Sequence, residues 1–495
     1  MNSNESETIQ SFEVTWGKSG DLLTERRGDR PLRIGLLACA YFEYWRMYPG
    51  LREQVQGDMK AIADHLARKH AVIYPGLVDT LDAADAAGRR FKDRAVDLLI
   101  VTEGTYCTDY IVHQALLHLP GDMPICLFAS QSHDRLNYEA GYDQALRNSG
   151  PMGLVQLSAG FRKMGKYGNF EVVAGAIDDD LAYEELDRFI RVRTTIANLR
   201  HWNIGLVGHV FRGMYDFQYD KTTVSGKLGP HVIDIDIKHL LDILDGLSED
   251  DPRVGTLCRK VLADFHVVGL TDLDIRRAAR LALALQELVS RYRLDGLVLL
   301  GQHFIEQRAN ATVHLGLAEM LAGDRALAVT EGDVLGLIMS KVLKDFTGHT
   351  PFFGEWEEMD VPLNAMMLLG HGFLDPREAR KDRKVQAQPA CENWGFEGNS
   401  LGLEATYAPG PVTMTHIIQD ANGWRLLVSE GEILDTPPLK IAESSLIVRV
   451  PKNIRQYMKD LIRWGFPHHS IAAPGRVSDH LELFAGQLNI EVCRL

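Results

Sequence analysis

Four short motifs carry residue types that could hold a cation or move a proton: VTEGD with Glu331 and Asp333, FFGEW with Glu355, GHGFLDP with His371, and PHHS with His468 and His469. One group from each motif, two carboxylates and two imidazoles in all, makes a mixed oxygen–nitrogen donor set suited to a borderline divalent ion such as Mn2+, Co2+ or Zn2+. Their spacing follows no short zinc motif, because no pair falls at i, i+4 on one helix or in a CxxC knuckle. Between Thr350 and Pro376 the chain is largely apolar, yet it carries Glu355, Glu357 and Glu358 at one end and His371 at the other. Such groups are not simply part of a solvated charged face. Taken singly, each also fits a capped loop acid or a satisfied buried histidine.

Periodicity shows which elements must bring them together. RIGLLACA (33–40) reads as a buried strand, 51–69 as an amphipathic helix, AVIYPGLV as a strand, 80–95 as a helix, VDLLIVTEG as a third strand, 109–118 as a helix and PICLFAS as a fourth strand. Short apolar strands alternating with helices predict a parallel, doubly wound sheet. Ligands collect beyond the carboxyl ends of such strands, here ACAYFEY, TEGTY (with Glu103) and ASQSHDR. A helical pattern over 179–201 leads into a second series, with strands at NIGLVGHV, HVIDID, LDGLVLLGQ and RALAVTEG. After residue 349 the pattern becomes period-two alternation broken by Gly and Pro, which predicts antiparallel strands or a small barrel, with helices near 453–464 and 477–487. The fold class expected is α/β: two doubly wound parallel-sheet domains, 1–200 and 201–348, followed by a mainly antiparallel β domain over 349–495 that carries the metal ligands.

Composition narrows the class further. A net charge of −14 argues against nucleic acid and favours a small neutral or cationic ligand. Cys39, Cys107, Cys126, Cys258, Cys391 and Cys493 lie far apart with no CxxC pair, and read as reduced thiols of a cytoplasmic protein. The polar start MNSNESETIQSFEV has no apolar signal core, and no run approaches the ~18 apolar residues of a membrane span.

The order EGD, TPFFGEW, GHGFLDP and HHS, just before a helix and a last strand, resembles the L-arabinose isomerase family of the arabinose/fucose isomerase superfamily, as a divergent member. That family reads EGDW, TSFMED, a turn around G-S-H-M-L-E-V-C-P, and HHT or HHS. HFIEQ places Phe304 twenty-seven residues before Glu331, where the family has a substrate-contacting Phe; His303 precedes it. GHVFRGMYD resembles the family's FGDNMR turn with Arg212 at the Arg, and ASQSH its TQFN strand end with Gln131 at the Gln. The resemblance is dense from about 295 onward and thin before 200.

It implies that Glu331, Glu355, His371 and His469 bind Mn2+ (or Co2+ or another divalent ion). It further implies that Glu331 and Glu355 act as catalytic base and acid, and that Gln131, Phe304, His468 and Arg212 contact a small-molecule sugar. The activity implied is aldose–ketose isomerisation of a pentose or related sugar through an ene-diol, by a cytoplasmic homo-oligomer, trimer or hexamer, without nucleic-acid or membrane partners. Departures from the family concern the sugar rim. ACAYFEYW (38–45) has no Gln or His where the family has Gly-Ser-Gln-His-Leu-Tyr, GEWEEMD lacks the Tyr and His of EDYTYH, and VQLSAGFRKMG lacks a His. L-arabinose itself is therefore not the expected best substrate. An isomerase or epimerase of another sugar and a non-catalytic sugar-binding protein are the alternatives. Glu357 and Glu358 read as solvated acids unless the alignment slips by a residue or two, Trp356 as core or sugar-stacking, His349 as a turn residue, and His209 as a further residue in reach of substrate.

Overall fold

The computed structural model describes residues 29–495, apart from residues 301, 392–394 and 396 and the side chains of 302 and 303. The polar start of the chain and the His303 side chain lie outside the described residues. Residues 29–195 and 196–495 form two compact units.

In the first unit, strands β1 (Arg33–Cys39), β2 (Ala71–Ile73), β3 (Leu77–Val78), β4 (Leu98–Glu103), β5 (Ile125–Gln131) and β6 (Glu171–Ala176) make one parallel sheet ordered β2-β1-β4-β5-β6, with β3 also on β1. The central strands are continuous apolar runs because helices cover both faces, and every residue of β4 is buried. AVIYPGLV is not one strand: Pro75 and Gly76, the latter at φ +104°, divide it into β2 and β3. Beyond β1, Tyr41 meets the rings of Tyr44 and Tyr106 edge-on, while Trp45 Nε1 donates to Asp79 at 3.0 Å. This strand end is aromatic, with one ring already committed to an acid.

The second unit opens with a four-stranded parallel sheet ordered β11-β10-β7-β8, from β7 (Asn203–Val207), β8 (His231–Ile235), β10 (Gly296–Leu299) and β11 (Leu327–Val329). The short β9 (His266–Val267) pairs elsewhere, in parallel with β14 (Gln386–Pro389), which in turn runs antiparallel to β15 (Leu401–Glu404). Helix α1 (Gln302–Ala309) follows β10, and α2 (Val334–Thr347) follows β11. Asp333 caps α2 by accepting from Gly336 N–H at 2.7 Å, and Gly348 at φ +78° ends it. VLGLIMSKVLKDFT is apolar nearly all round because α2 packs on β11 as well as on the barrel strands β16 (Gly410–Asp420) and β19 (His469–Pro474). Truncating one of its wholly buried side chains, as in Leu337→Ala, is expected to cost about 2–5 kcal/mol.

The barrel runs β16-β19-β12-β13-β18-β17 and closes through β16–β17, using β12 (Phe352–Asp360), β13 (Ala365–Gly370), β17 (Gly423–Ile433) and β18 (Ser445–Arg449). Those pairings are antiparallel, while a last strand, β20 (Glu491–Arg494), joins β17 in parallel. The architecture is parallel-sheet α/β followed by an antiparallel, barrel-like C-terminal part. Among the described residues no helix is long and apolar enough to cross a membrane.

Candidate metal centre

Three barrel elements and one sheet turn converge within the second unit. β12 lies between β19 and β13, with Glu355 opposite His469 on one side and opposite Leu369 on the other. His371 follows two residues later, immediately past the end of β13. Glu331 comes from the turn after β11, where its backbone adopts φ +62°, a conformation unfavourable for a side chain with a Cβ. Gly332, at φ +83°, makes that turn possible, because a Cβ there would stand 2.5 Å from the Val210 Cα. The Phe211 N–H donates to the Glu331 carbonyl at 3.1 Å, which ties the turn after β7 to it.

Ligand atoms of Glu331, Glu355, His371 and His469 all lie within 4.8 Å of one another. His371 Nε2 is 3.3 Å from His469 Nε2, His469 Nε2 is 3.5 Å from Glu331 Oε2, and His371 Nε2 is 3.6 Å from Glu355 Oε1. Glu331 Oε2 is buried and makes no hydrogen bond. Such an orphaned carboxylate oxygen beside facing imidazole nitrogens is costly without a cation. Two oxygens and two nitrogens spanning less than 4.8 Å also fit ligands ~2.0–2.3 Å from a common centre. The donor set therefore fits a divalent ion.

Two aromatic rings hold the His469 ring, Phe217 stacked at 4.4 Å and Phe353 tilted at 4.3 Å, centroid to centroid. Its Nδ1 lies 3.0 Å from Asp333 Oδ2, so Nε2 faces the other donors. Burial alone would raise the Glu331 carboxyl, but His468 and His469 overcome it and hold it well below the usual carboxylate range. Glu355 shifts the other way, because burial raises it and His469 and His468 offset that only in part. Burial, reinforced by the neighbouring His469, pushes His371 down to about 4, which keeps it neutral as a ligand must be. Burial works against the cation at His468, yet Asp216 and Glu331 carry it up to about 10.

The other expected residues are placed differently. His468 Nε2 is 3.8 Å from Glu331 and 3.7 Å from Glu355, so it borders the centre. Arg212 is exposed in the turn after β7, and Phe304 is 57% exposed on α1. Gln131 is exposed at the end of β5, in the first unit. Glu357 and Glu358 are exposed, with the ladder irregularity between Trp356 and Glu358, so Glu355 is the acid of this strand that faces the centre. Trp356 packs 6.1 Å from the Tyr457 ring, His349 pairs with Glu378 at 2.8 Å, and exposed His209 bonds the Val210 carbonyl.

Two functional candidates escaped the sequence reading, Asp216 and His416, and a third, Asp333, was named without its partner. Asp216, at the end of the GHVFRGMYD turn, is 2.6 Å from His468 Nδ1, so the turn reaches the site through an acid as well as carrying Arg212. Asp333 was visible in EGD but not its bond to His469. His416, wholly buried in β16, meets Asp333 at 3.0 Å, and nothing in its alternating strand signals this.

Residues 348–495 match the family described as L-fucose isomerase, C-terminal domain. A sulfoquinovose isomerase of Alkalicoccus urumqiensis is 24% identical over 311 residues, covering 61% of this chain and 67% of that one. A sulfoquinovose isomerase of Priestia aryabhattai is 23% identical over 327 residues, covering 65% and 71%. Among solved structures, a ligand-free, open substrate-binding protein with adhesive properties from Clostridium difficile is 12% identical with a TM-score of 0.16, covering 61% of this chain and 90% of that one. Superposition that poor carries no argument. Together the sequence matches support a sugar isomerase of the fucose/arabinose isomerase superfamily, and they do not single out L-arabinose isomerase.

Proposed function

We propose that this aldose–ketose isomerase is metal-dependent, with Glu331, Glu355, His371 and His469 holding one divalent ion, Mn2+ before Co2+. The observation that carries the reading is the meeting of these four donors within 4.8 Å around an unpartnered buried carboxylate oxygen. When bound, the ion would act as a Lewis acid on the two sugar oxygens at C1 and C2.

The chain's own groups supply the proton transfers. Glu331, held ionised by its histidine neighbours, takes the C2 proton and returns it to C1. Glu355, which holds a proton more readily, gives one to O1 as the ene-diol forms and recovers one from O2 as the ketose forms. His468, cationic and within 4 Å of both acids, orients a sugar hydroxyl between them. Gln131, Phe304 and Arg212 remain sugar contacts in this proposal, and a homo-oligomer, trimer or hexamer, remains its assembly state.

The substrate proposed is a pentose or related sugar other than L-arabinose, because the strand end after β1 offers Tyr41, Tyr44 and Trp45 where the resembled family reads sugar hydroxyls with polar groups. A site missing the polar partner that a substrate needs rejects that substrate strongly. The experiment is kcat/KM, read by ketose formation with saturating Mn2+, over L-arabinose, other pentoses, L-fucose and sulfoquinovose. Another sugar is expected to exceed L-arabinose by tenfold or more. L-arabinose as best substrate would refute the substrate reading, and no ketose from any aldose would refute the function.

A further inference from the structure

We infer that His416 is a positioning residue, which acts through Asp333 to fix the tautomer of His469 so that its Nε2 lone pair faces the four-donor centre. This deepens the proposed function and rests on its reading of His469 as a ligand.

The proton count follows from the partners. His416 Nδ1 is 2.9 Å from the Ile417 carbonyl oxygen, which carries no proton, so Nδ1–H is the donor. His416 Nε2 is 3.0 Å from Asp333 Oδ2, a second acceptor, so His416 donates from both ring nitrogens, and the same oxygen is 3.0 Å from His469 Nδ1. Asp333 Oδ1 is already engaged by the Gly336 N–H at the start of α2. One carboxylate thus accepts from a helix end, from β16 and from β19, within the roughly four lone-pair sites it offers. With Oδ2 as acceptor, His469 must carry its proton on Nδ1. In the neutral ring that a ligand must be, that leaves Nε2 bare, and Nε2 is the atom beside His371 and Glu331.

His416 itself lies outside the four-residue group. All three members are almost wholly enclosed, with His416 and His469 at 0% exposure and Asp333 at 1%. An imidazole in a barrel core has to satisfy two polar nitrogens, which an aliphatic side chain of similar size would not require. Packing alone therefore gives no reason for histidine at 416. What histidine adds is a second anchor on Oδ2: the helix end holds one carboxylate oxygen, and His416 fixes the rotation of the other toward His469. Groups that hold a ligating imidazole in this way typically contribute 10–100-fold in metal affinity.

The test uses the full chain with His416→Leu, His416→Gln and Asp333→Asn. Mn2+ affinity is measured by titration calorimetry, and the His469 tautomer by 15N spectra of histidine-labelled protein without metal. His416→Leu is expected to bind Mn2+ 10–100-fold more weakly, and His416→Gln, whose amide N–H still donates to Oδ2, less than fivefold more weakly. Asp333→Asn is expected to lose the most, because an amide N–H turned toward Nδ1 moves the imidazole proton to Nε2. Wild-type affinity in a His416→Leu protein of unchanged melting temperature would overturn the inference, as would a wild-type His469 protonated at Nε2 and not at Nδ1. If His416→Leu does not fold, the other two variants decide it. Absence of Mn2+ binding by the wild type would refute the proposed function alone. The spectra would then decide: Nδ1–H in the wild type and His416→Gln but mixed tautomers in His416→Leu support the relay, and one tautomer throughout refutes it.

Discussion

Glu355 and His469 are register partners in the antiparallel β12–β19 ladder, which sets two donors of the candidate centre directly opposite each other on neighbouring barrel strands. Backbone hydrogen bonding fixes that relationship, so it needs no flexible loop to form. Glu331 is the contrasting case. It reaches the same place from a sheet turn with a left-handed backbone, and the strain is held by Gly332 and by the Phe211 N–H.

Glu331→Gln keeps the size of the side chain and removes its capacity to accept a proton. The expected result is a kcat lower by about 10²–10⁴, the usual worth of a positioned general base. Steady-state rates at saturating Mn2+ and sugar check it, with bound metal assayed in parallel. A kcat within tenfold of wild type would remove Glu331 from the proton transfer.

Asp216→Asn leaves the turn after β7 intact while removing the acid that bonds His468 Nδ1 and N–H. Without that partner His468 loses much of what holds it cationic at neutral pH. We expect KM for the sugar to rise several-fold with kcat less affected, measured at pH 7.5. An unchanged KM would mean that His468 does not orient substrate.

Glu103 gives a stability prediction away from the candidate centre. It is wholly buried at the end of β4, accepts from the Cys107 N–H at 3.0 Å, and burial pushes it up to about 10. The folded value exceeds the unfolded one, so below about pH 4.5 both states keep the proton and the group costs nothing. As pH rises toward 10, the unfolded chain releases its proton while the folded one retains it, and stability falls by at most about 1.4 kcal/mol per pH unit. Glu103→Gln removes that slope. Its stability should lie close to wild type near pH 5 and exceed it near pH 8, by up to about 4 kcal/mol. A difference that does not widen between those pH values contradicts the assignment of a protonated acid.

The fold was legible where the code is local. Apolar runs such as β4, the period-two pattern of β16 and β17, and the helix Ile454–Trp464 could be read from spacing. AVIYPGLV was misread as one strand because its apolar content outweighed Pro75 and Gly76. Pairings such as β16–β19 and β19–β12 were not legible, since strands distant in sequence carry no mark of their neighbours. The same limit governed the candidate centre. Glu331, Glu355, His371 and His469 stand in motifs whose order resembles a family, and these the structure brings together. Asp216 and His416 bond partners 252 and 83 residues away, and neither sits in a motif that announces it.

The central claim, that four side chains from β12, β19, the end of β13 and the turn after β11 hold one divalent ion, is tested most directly by anomalous diffraction from Mn2+-soaked crystals. The account predicts a single Mn2+ with one atom each of Glu331, Glu355, His371 and His469 at ~2.0–2.3 Å, and its loss in His371→Ala. No ion there at saturating Mn2+, or an ion more than ~3 Å from these side chains, would contradict it.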